Sequence, residues 1–143
     1  MVQYKAVLIG CSRMGAFIDN EVPATMRPYS HAAGYEACDR VDLIACSDVR
    51  ADVMDQAGQR YGIPAEKQYL DYREMLEKAS LDLVSIGPRW IDCHAEMVVA
   101  CADAQVKGIL CEKPLAPTLV EADVMIDACE RNGVRMAVAH RRA

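Results

Sequence analysis

The 143-residue sequence predicts an α/β fold built on a doubly wound parallel sheet, and three observations carry that expectation. Short, nearly continuous apolar runs recur along the chain, as strands buried on both faces require. Between them lie segments with apolar residues at helical spacing, so strands and helices alternate as βαβ units. The first apolar run, Val7-Leu8-Ile9, enters a glycine-punctuated turn at Gly10-Cys11-Ser12-Arg13-Met14-Gly15. Right-handed crossovers then favour a doubly wound sheet, for which the expected order of the six strands is 3-2-1-4-5-6.

Taken in order, Tyr4–Ile9 reads as a buried strand, followed by a helix from 13 to about 21. Pro23 and Pro28 make 20–30 a loop, because neither can continue that helix. A short helical piece at 31–38 leads to a second strand at 41–46 and a helix at 50–61, stopped by Gly62 and Pro64. Gln68–Tyr69 is a short third strand. Asp71 caps a brief helix, with Glu74 three residues on in a capping-box pattern. Leu83–Ile86 is the fourth strand. The helix at 94–105 repeats apolar residues at Met97, Val98, Cys101 and Ala104, which would bury one face. A fifth strand through Gly108-Ile109-Leu110 precedes a second capping box at Thr118 and Glu121. That helix turns Ala122, Met125, Ile126 and Cys129 inward and stops at Gly133, before a sixth strand at Arg135–Ala139.

Bulk properties narrow the function. The length suits one domain with a sizeable core. A net charge of −5, with no basic run beyond Arg141-Arg142, argues against a nucleic-acid surface. No apolar run approaches the roughly 20 residues that span a bilayer. The N-terminus enters a strand directly, without the layout of a signal peptide, so a cytoplasmic address is expected. The seven cysteines are odd in number and form no Cys-x-x-Cys, which favours reduced, buried thiols. Cys93 and His94 are adjacent and diverge on a helix, so no metal site is expected.

The residues that carry chemistry cluster where strands end. Gly10 permits the tight turn after strand one and Gly15 close helix packing, while Ser12 replaces the usual middle glycine. The Ser12 hydroxyl and the N–H groups that follow it, at Arg13 and Met14, suit a phosphate; a plain strand-turn-helix is the simpler alternative. Asp48 follows strand two, where a dinucleotide fold sets a carboxylate against ribose hydroxyls. It would equally serve as N-cap for the next helix. Arg50 leaves a 2′-phosphate contact open, so NAD is expected and NADP is not excluded. Gly87-Pro88-Arg89-Trp90 after strand four would line a nicotinamide ribose, or Trp90 would cap the core. His94 would face the cofactor or serve structure. Glu112-Lys113-Pro114 closes strand five. Lys113 there is either a proton-transfer lysine or half of a surface ion pair, and Pro114 allows a cis bond before it.

Together, Cys111-Glu112-Lys113-Pro114-Leu115-Ala116, the upstream Pro88 and His94, the Gly10 to Gly15 turn and Val138-Ala139-His140-Arg141-Arg142 resemble the Gfo/Idh/MocA family, the glucose-fructose oxidoreductase and inositol dehydrogenase relatives. The resemblance covers the chain but only the family's N-terminal half. It implies a Rossmann fold and NAD(P)-dependent oxidation of sugars, inositols or related polyols. Lys113 would be the active-site lysine, with Glu112 and Pro114 positioning it beside the cofactor. Three departures stand out. Ser12 replaces a glycine, the interval from Pro88 to His94 is longer than the family pattern, and Ala104-Gln105-Val106-Lys107-Gly108 stands for its Ala-Gly-Lys-His stretch. On this reading residues 1–143 are one nucleotide-binding lobe of a longer, homo-oligomeric enzyme whose substrate domain lies elsewhere, and the lobe alone is inactive. A non-catalytic NAD(H) sensor is the alternative. A methyltransferase-like fold is a second rival, disfavoured by the lysine on the strand-five lip.

Overall fold

The computed structural model describes residues 2–140, so the resemblance at Arg141-Arg142 lies outside the described residues. Six parallel strands form one sheet in the order β3-β2-β1-β4-β5-β6. They are β1 (Tyr4–Ile9), β2 (Val41–Ser47), β3 (Gln68–Tyr69), β4 (Leu83–Ile86), β5 (Gly108–Glu112) and β6 (Arg135–Ala139). The order is the one expected of a doubly wound sheet.

Alternation along the strands feeds two cores. Val7 and Ile9 of β1 join Val84, Ile86, Ile109 and Cys111 on one face. Under this face lie α3 (Tyr72–Lys78), α4 (His94–Asp103) and α5 (Leu119–Asn132), through Met75, Val98, Cys101, Met125 and Ala128. Leu8 and Cys46 point the other way, against α1 (His31–Glu36) and α2 (Ala51–Tyr61), where Ala32, Val53, Met54 and Ala57 close the smaller core. Side chains of period two on the sheet and period near four on the helices produce this division. Ser85 is the buried polar exception in β4, and the Tyr35 hydroxyl lies 2.6 Å from its Oγ.

Local chemistry sets the helix ends. Thr118 accepts the Glu121 N–H, and its hydroxyl donates to the Glu121 carboxylate at 2.9 Å. Gly133 ends α5 in the left-handed region at φ +66. Asp71 caps α3 by accepting the Arg73 N–H, but Glu74 does not complete the expected box, because its carboxylate pairs with Lys78 one turn on. Two buried faces also differ from the simple spacing. Ala104 is exposed past the end of α4, where His94 and Ala102 are buried instead. Ile126 is 41% exposed, and Ala128 faces inward with Met125 and Cys129. The cause is the packing of α5 on α4, which selects a face slightly rotated from the most apolar one.

The largest correction lies after β1. In place of an α-helix from 13 to 21, Arg13–Phe17 forms a single π-type turn closed by the Ile18 N–H on the Arg13 carbonyl, followed by a 3-10 turn at Ile18–Asn20. The loop 20–30 carries a further 3-10 turn at Ala24–Met26. Asp19, 2% exposed, draws the chain back on itself by accepting the N–H groups of Tyr29 at 2.7 Å and Ser30 at 3.0 Å.

Met125 is fully buried where α5 meets the larger core. Met125→Ala is expected to cost about 2–5 kcal/mol of unfolding free energy, measured by urea denaturation, with the sheet retained by circular dichroism.

Candidate cofactor and active site

β1, β4, β5 and β6 finish together, with Ile9 opposite Ile86, Ile86 opposite Cys111, and Glu112 opposite Ala139. Beyond this lip opens a cleft of about 610 Å³. Arg13, Met14 and Ile18 form one wall, Val22 and Tyr29 of the loop another. Gly87, Pro88 and Arg89 after β4, and Glu112, Lys113 and Pro114 after β5, complete it with Ala139 and His140. Turns meet there because parallel strands present their C-terminal ends at the same edge.

The glycine turn is shaped by contact. Gly10 has φ +86, and a Cβ on it would come within 2.8 Å of the Pro88 ring. A Cβ on Gly15 would overlap the Gly10 carbonyl oxygen, so the turn, the start of the next segment and the β4 loop touch backbone to backbone. Ser12 is extended, at φ −79 and ψ −162, a conformation open to any residue. Its side chain makes no capping bond to the turn that follows. Replacing the middle glycine therefore imposes no backbone strain here.

Asp48 sits just past β2 and ties the turn together. One oxygen accepts the Cys11 N–H at 2.7 Å and the other the Arg50 N–H at 2.8 Å. It is not the N-cap of α2; Arg50 holds that position, without a side-chain cap. The Arg50 guanidinium turns away to pair with Asp52 at 2.8 Å. Arg13 likewise pairs with Glu21.

Of the two readings of His94, the structural one fits. It is fully buried, with Nε2 2.8 Å from the Pro88 carbonyl and Nδ1 3.1 Å from those of Pro114 and Leu115. The ring packs between the β4 loop and the Lys113 turn; a neutral imidazole carries one N–H and donates to only one of those two sides. Trp90 does not cap the core: it is 71% exposed and stands outside the lining of the cleft.

Lys113 is exposed on the cleft wall, and its bond to Pro114 is cis. Glu112 beside it is buried, with Oε1 2.7 Å from His31 Nε2 and Oε2 accepting the Lys113 N–H at 3.2 Å. Sequence reasoning did not single out His31 or Asp19. A lone histidine at a helix start and an aspartate in a loop carry no local signal, since their partners lie 81 and 10 or 11 residues away. Burial pushes the Asp19 carboxyl up, but the Ser30 hydroxyl and the N–H groups of Tyr29 and Ser30 win and hold it below the usual carboxylate range. The buried thiols are inert: burial pushes Cys111 up to about 12, while contact with Cys46 and burial raise Cys11.

A strand-glycine turn, a carboxylate after β2 and a lysine on the β5 lip of a 3-2-1-4-5-6 sheet define a dinucleotide-binding lobe. Comparison with known proteins is consistent with this geometry. Residues 4–140 match Gfo/Idh/MocA, an oxidoreductase family with an NAD-binding Rossmann fold, and the chain belongs to that family. It is 35% identical over 136 residues to D-apiose dehydrogenase of Paraburkholderia graminis, covering 95% of this chain and 32% of that protein. It is 34% identical over 112 residues to myo-inositol 2-dehydrogenase of Thermotoga maritima, covering 78% of this chain and again 32% of the relative. Among solved structures, an oxidoreductase from Agrobacterium radiobacter in complex with NAD+, L-tartaric acid and magnesium superposes with a TM-score of 0.77 at 25% identity, covering 96% of this chain and 35% of that one. The chain thus spans about a third of the length of the curated relatives it matches. No helix among the described residues is long and apolar enough to cross a membrane.

Two outcomes follow from this geometry. Gly10→Val should abolish NADH binding by titration calorimetry, because the side chain would push Pro88 out of the cleft wall, whereas Ser12→Gly should bind as well or better. Asp19→Ala should cost about 2–3 kcal/mol, the scale of hydrogen bonds to a charged group. Because the folded carboxyl titrates below its unfolded value of about 3.9, its contribution is present above that pH. It should fade as pH falls through the lower, folded value, so urea unfolding of wild type and variant should converge in acid.

Proposed function

We propose that the chain is the cofactor-holding lobe of an NAD-dependent oxidoreductase that oxidises a secondary alcohol of a sugar, inositol or related polyol. The observation that carries this reading is the shared cleft: Arg13 and Met14 of the glycine turn, the β4 loop and Lys113 line one cavity at the lip of the sheet. The residues present fit the cofactor. The close approach of Gly10, Gly15 and Gly87 keeps side chains out of the turn, and the first N–H groups after Ser12 belong to a turn that leaves them without intrahelical acceptors. Each Asp48 oxygen accepts one backbone N–H and retains a lone pair for a ribose hydroxyl. Gly87 and Pro88 would border the nicotinamide ribose, with Trp90 at the outer edge of the same loop.

NAD, when bound, supplies the hydride acceptor. Everything else falls to the protein. As hydride leaves the alcohol carbon, its hydroxyl proton must go to a base, and the Lys113 amine is the exposed candidate on the cleft wall. Glu112 cannot serve directly, because His31 and the Lys113 amide already occupy it. His94 contributes by holding the β4 loop and the Lys113 turn at fixed separation. The relatives are about three times as long as this chain, and we place the remaining substrate contacts in the part of such a protein that this lobe does not span. The lobe alone should therefore show no turnover.

NAD should be preferred to NADP, because Asp48 would repel a 2′-phosphate while Arg50 is engaged by Asp52. Calorimetry with both reduced cofactors checks this; tighter NADPH binding would reassign Arg50. In the full-length protein, Lys113→Ala should lower kcat by about 10²- to 10⁴-fold with little change in NADH affinity. Wild-type kcat in that variant would reduce the motif to a turn.

A further inference from the structure

We propose that His31 is a positioning residue for Lys113: by holding Glu112 from the far side, it keeps that carboxylate from pairing with the lysine and leaves the amine available to a substrate hydroxyl. The inference rests on the reading above only for the purpose of the lysine. Its physical content, the state of the Lys113 amine, can be measured independently of turnover.

Three observations carry it. First, His31 Nε2 lies 2.7 Å from Glu112 Oε1, and the two side chains are 1% and 7% exposed. The second Glu112 oxygen accepts the backbone N–H of Lys113, so each oxygen holds a partner other than the neighbouring ammonium. Among the described residues the Lys113 side chain enters no ion pair or hydrogen bond.

Second, the imidazole is retained at a cost. Its Nδ1 is buried without a hydrogen-bond partner, and a buried polar atom left unsatisfied calls for a compensating purpose. An apolar side chain at this position would avoid the penalty. The contact with Glu112 is the one polar contact that the ring makes among the described residues, so it is the one that explains the ring.

Third, His31 is rigidly delivered. It opens α1, whose N-cap Ser30 accepts the Ala33 N–H, and Asp19 fixes the two residues before it. The same loop supplies Val22 and Tyr29 to the cleft wall. The loop and the lysine lip are thereby one unit, joined through His31 and Glu112.

Chemistry connects this arrangement to proton transfer. A carboxylate within about 4–6 Å of an ammonium favours the charged form and keeps the proton on the amine. A lysine that must accept a proton needs the opposite. Donation from His31 holds one Glu112 oxygen on the side of α1.

The test is acetylation of Lys113 in the 143-residue chain at one fixed pH. Acetic anhydride is the probe, peptide mass spectrometry the readout, and exposed Lys67 the internal reference. His31→Ala should slow Lys113 relative to Lys67 by about tenfold, the effect of one unit in the amine pKa. His31→Gln, whose amide can still donate to Glu112, should stay within about twofold of wild type. The double variant His31→Ala with Glu112→Gln should recover the wild-type rate, which a purely structural role for His31 would not predict. An unchanged rate in His31→Ala, or slow acetylation that persists in the double variant, overturns the proposal. If His31→Ala does not fold, Glu112→Gln alone decides. With His31 shielding the carboxylate the rate should barely move, and a several-fold rise would show that Glu112 already pairs with Lys113. NADH titration of the same samples keeps the cofactor reading separate: wild type that binds no NADH but shows this acetylation pattern would refute the cofactor and retain His31.

Discussion

Backbone touches backbone where Gly10, Gly15 and Gly87 meet, and everything at the lip of the sheet is built outward from that contact. A Cβ on Gly87 would lie 3.3 Å from both the Gly10 carbonyl and the Gly15 Cα. Gly15 has no room for a side chain at all. The end of β1, the turn after it and the end of β4 therefore approach as closely as main chains can. The Gly87 N–H donates to the Ile9 carbonyl and the Gly10 N–H to that of Ser47, so three strands are stitched level at this one place. A turn free of side chains next to a helix-type start suits an anion, since N–H groups and short distances replace bulk.

Polar groups then fix the walls to that floor. Asp48 draws the Cys11 amide toward β2. His94 fills the space between the β4 loop and the Lys113 turn, with a backbone carbonyl within reach of each ring nitrogen. His31 and Glu112 join the loop after β1 to the end of β5. Each tie is buried or half-buried and crosses between segments distant in sequence. None of them stabilises a single element; each sets the spacing between two. That spacing is what a proton-transferring lysine needs if its amine is to meet a hydroxyl beside the nicotinamide.

What could be read from the sequence follows from the range of the forces involved. The parallel, doubly wound sheet was legible because buried parallel strands are apolar throughout and crossovers have one hand; its order followed from the fold type that the glycine turn suggested. The stops at Gly133 and the cap at Thr118 were legible because both act within one turn. The segment after β1 was not. Met14, Phe17 and Ile18 suggest a helix, but Asp19 reaches Tyr29 and Ser30 and draws the chain into a π-type and then a 3-10 turn. His94 shows the same limit: its place at a helix start was visible, whereas the three carbonyls that claim its ring come from 6, 20 and 21 residues away. The inward faces at Ala104 and Ile126 shifted because α4 and α5 choose their contact by shape as well as by hydropathy.

Amide chemical-shift mapping of the 143-residue chain during titration with NADH tests the central claim most directly, since it reports location and not only affinity. The largest perturbations should fall on the glycine turn from Gly10 to Gly15, on Asp48 and Val49, on Gly87 and Arg89, and on Lys113, with the far ends of the strands unmoved. Saturable shifts centred elsewhere, or none at millimolar NADH, would contradict it.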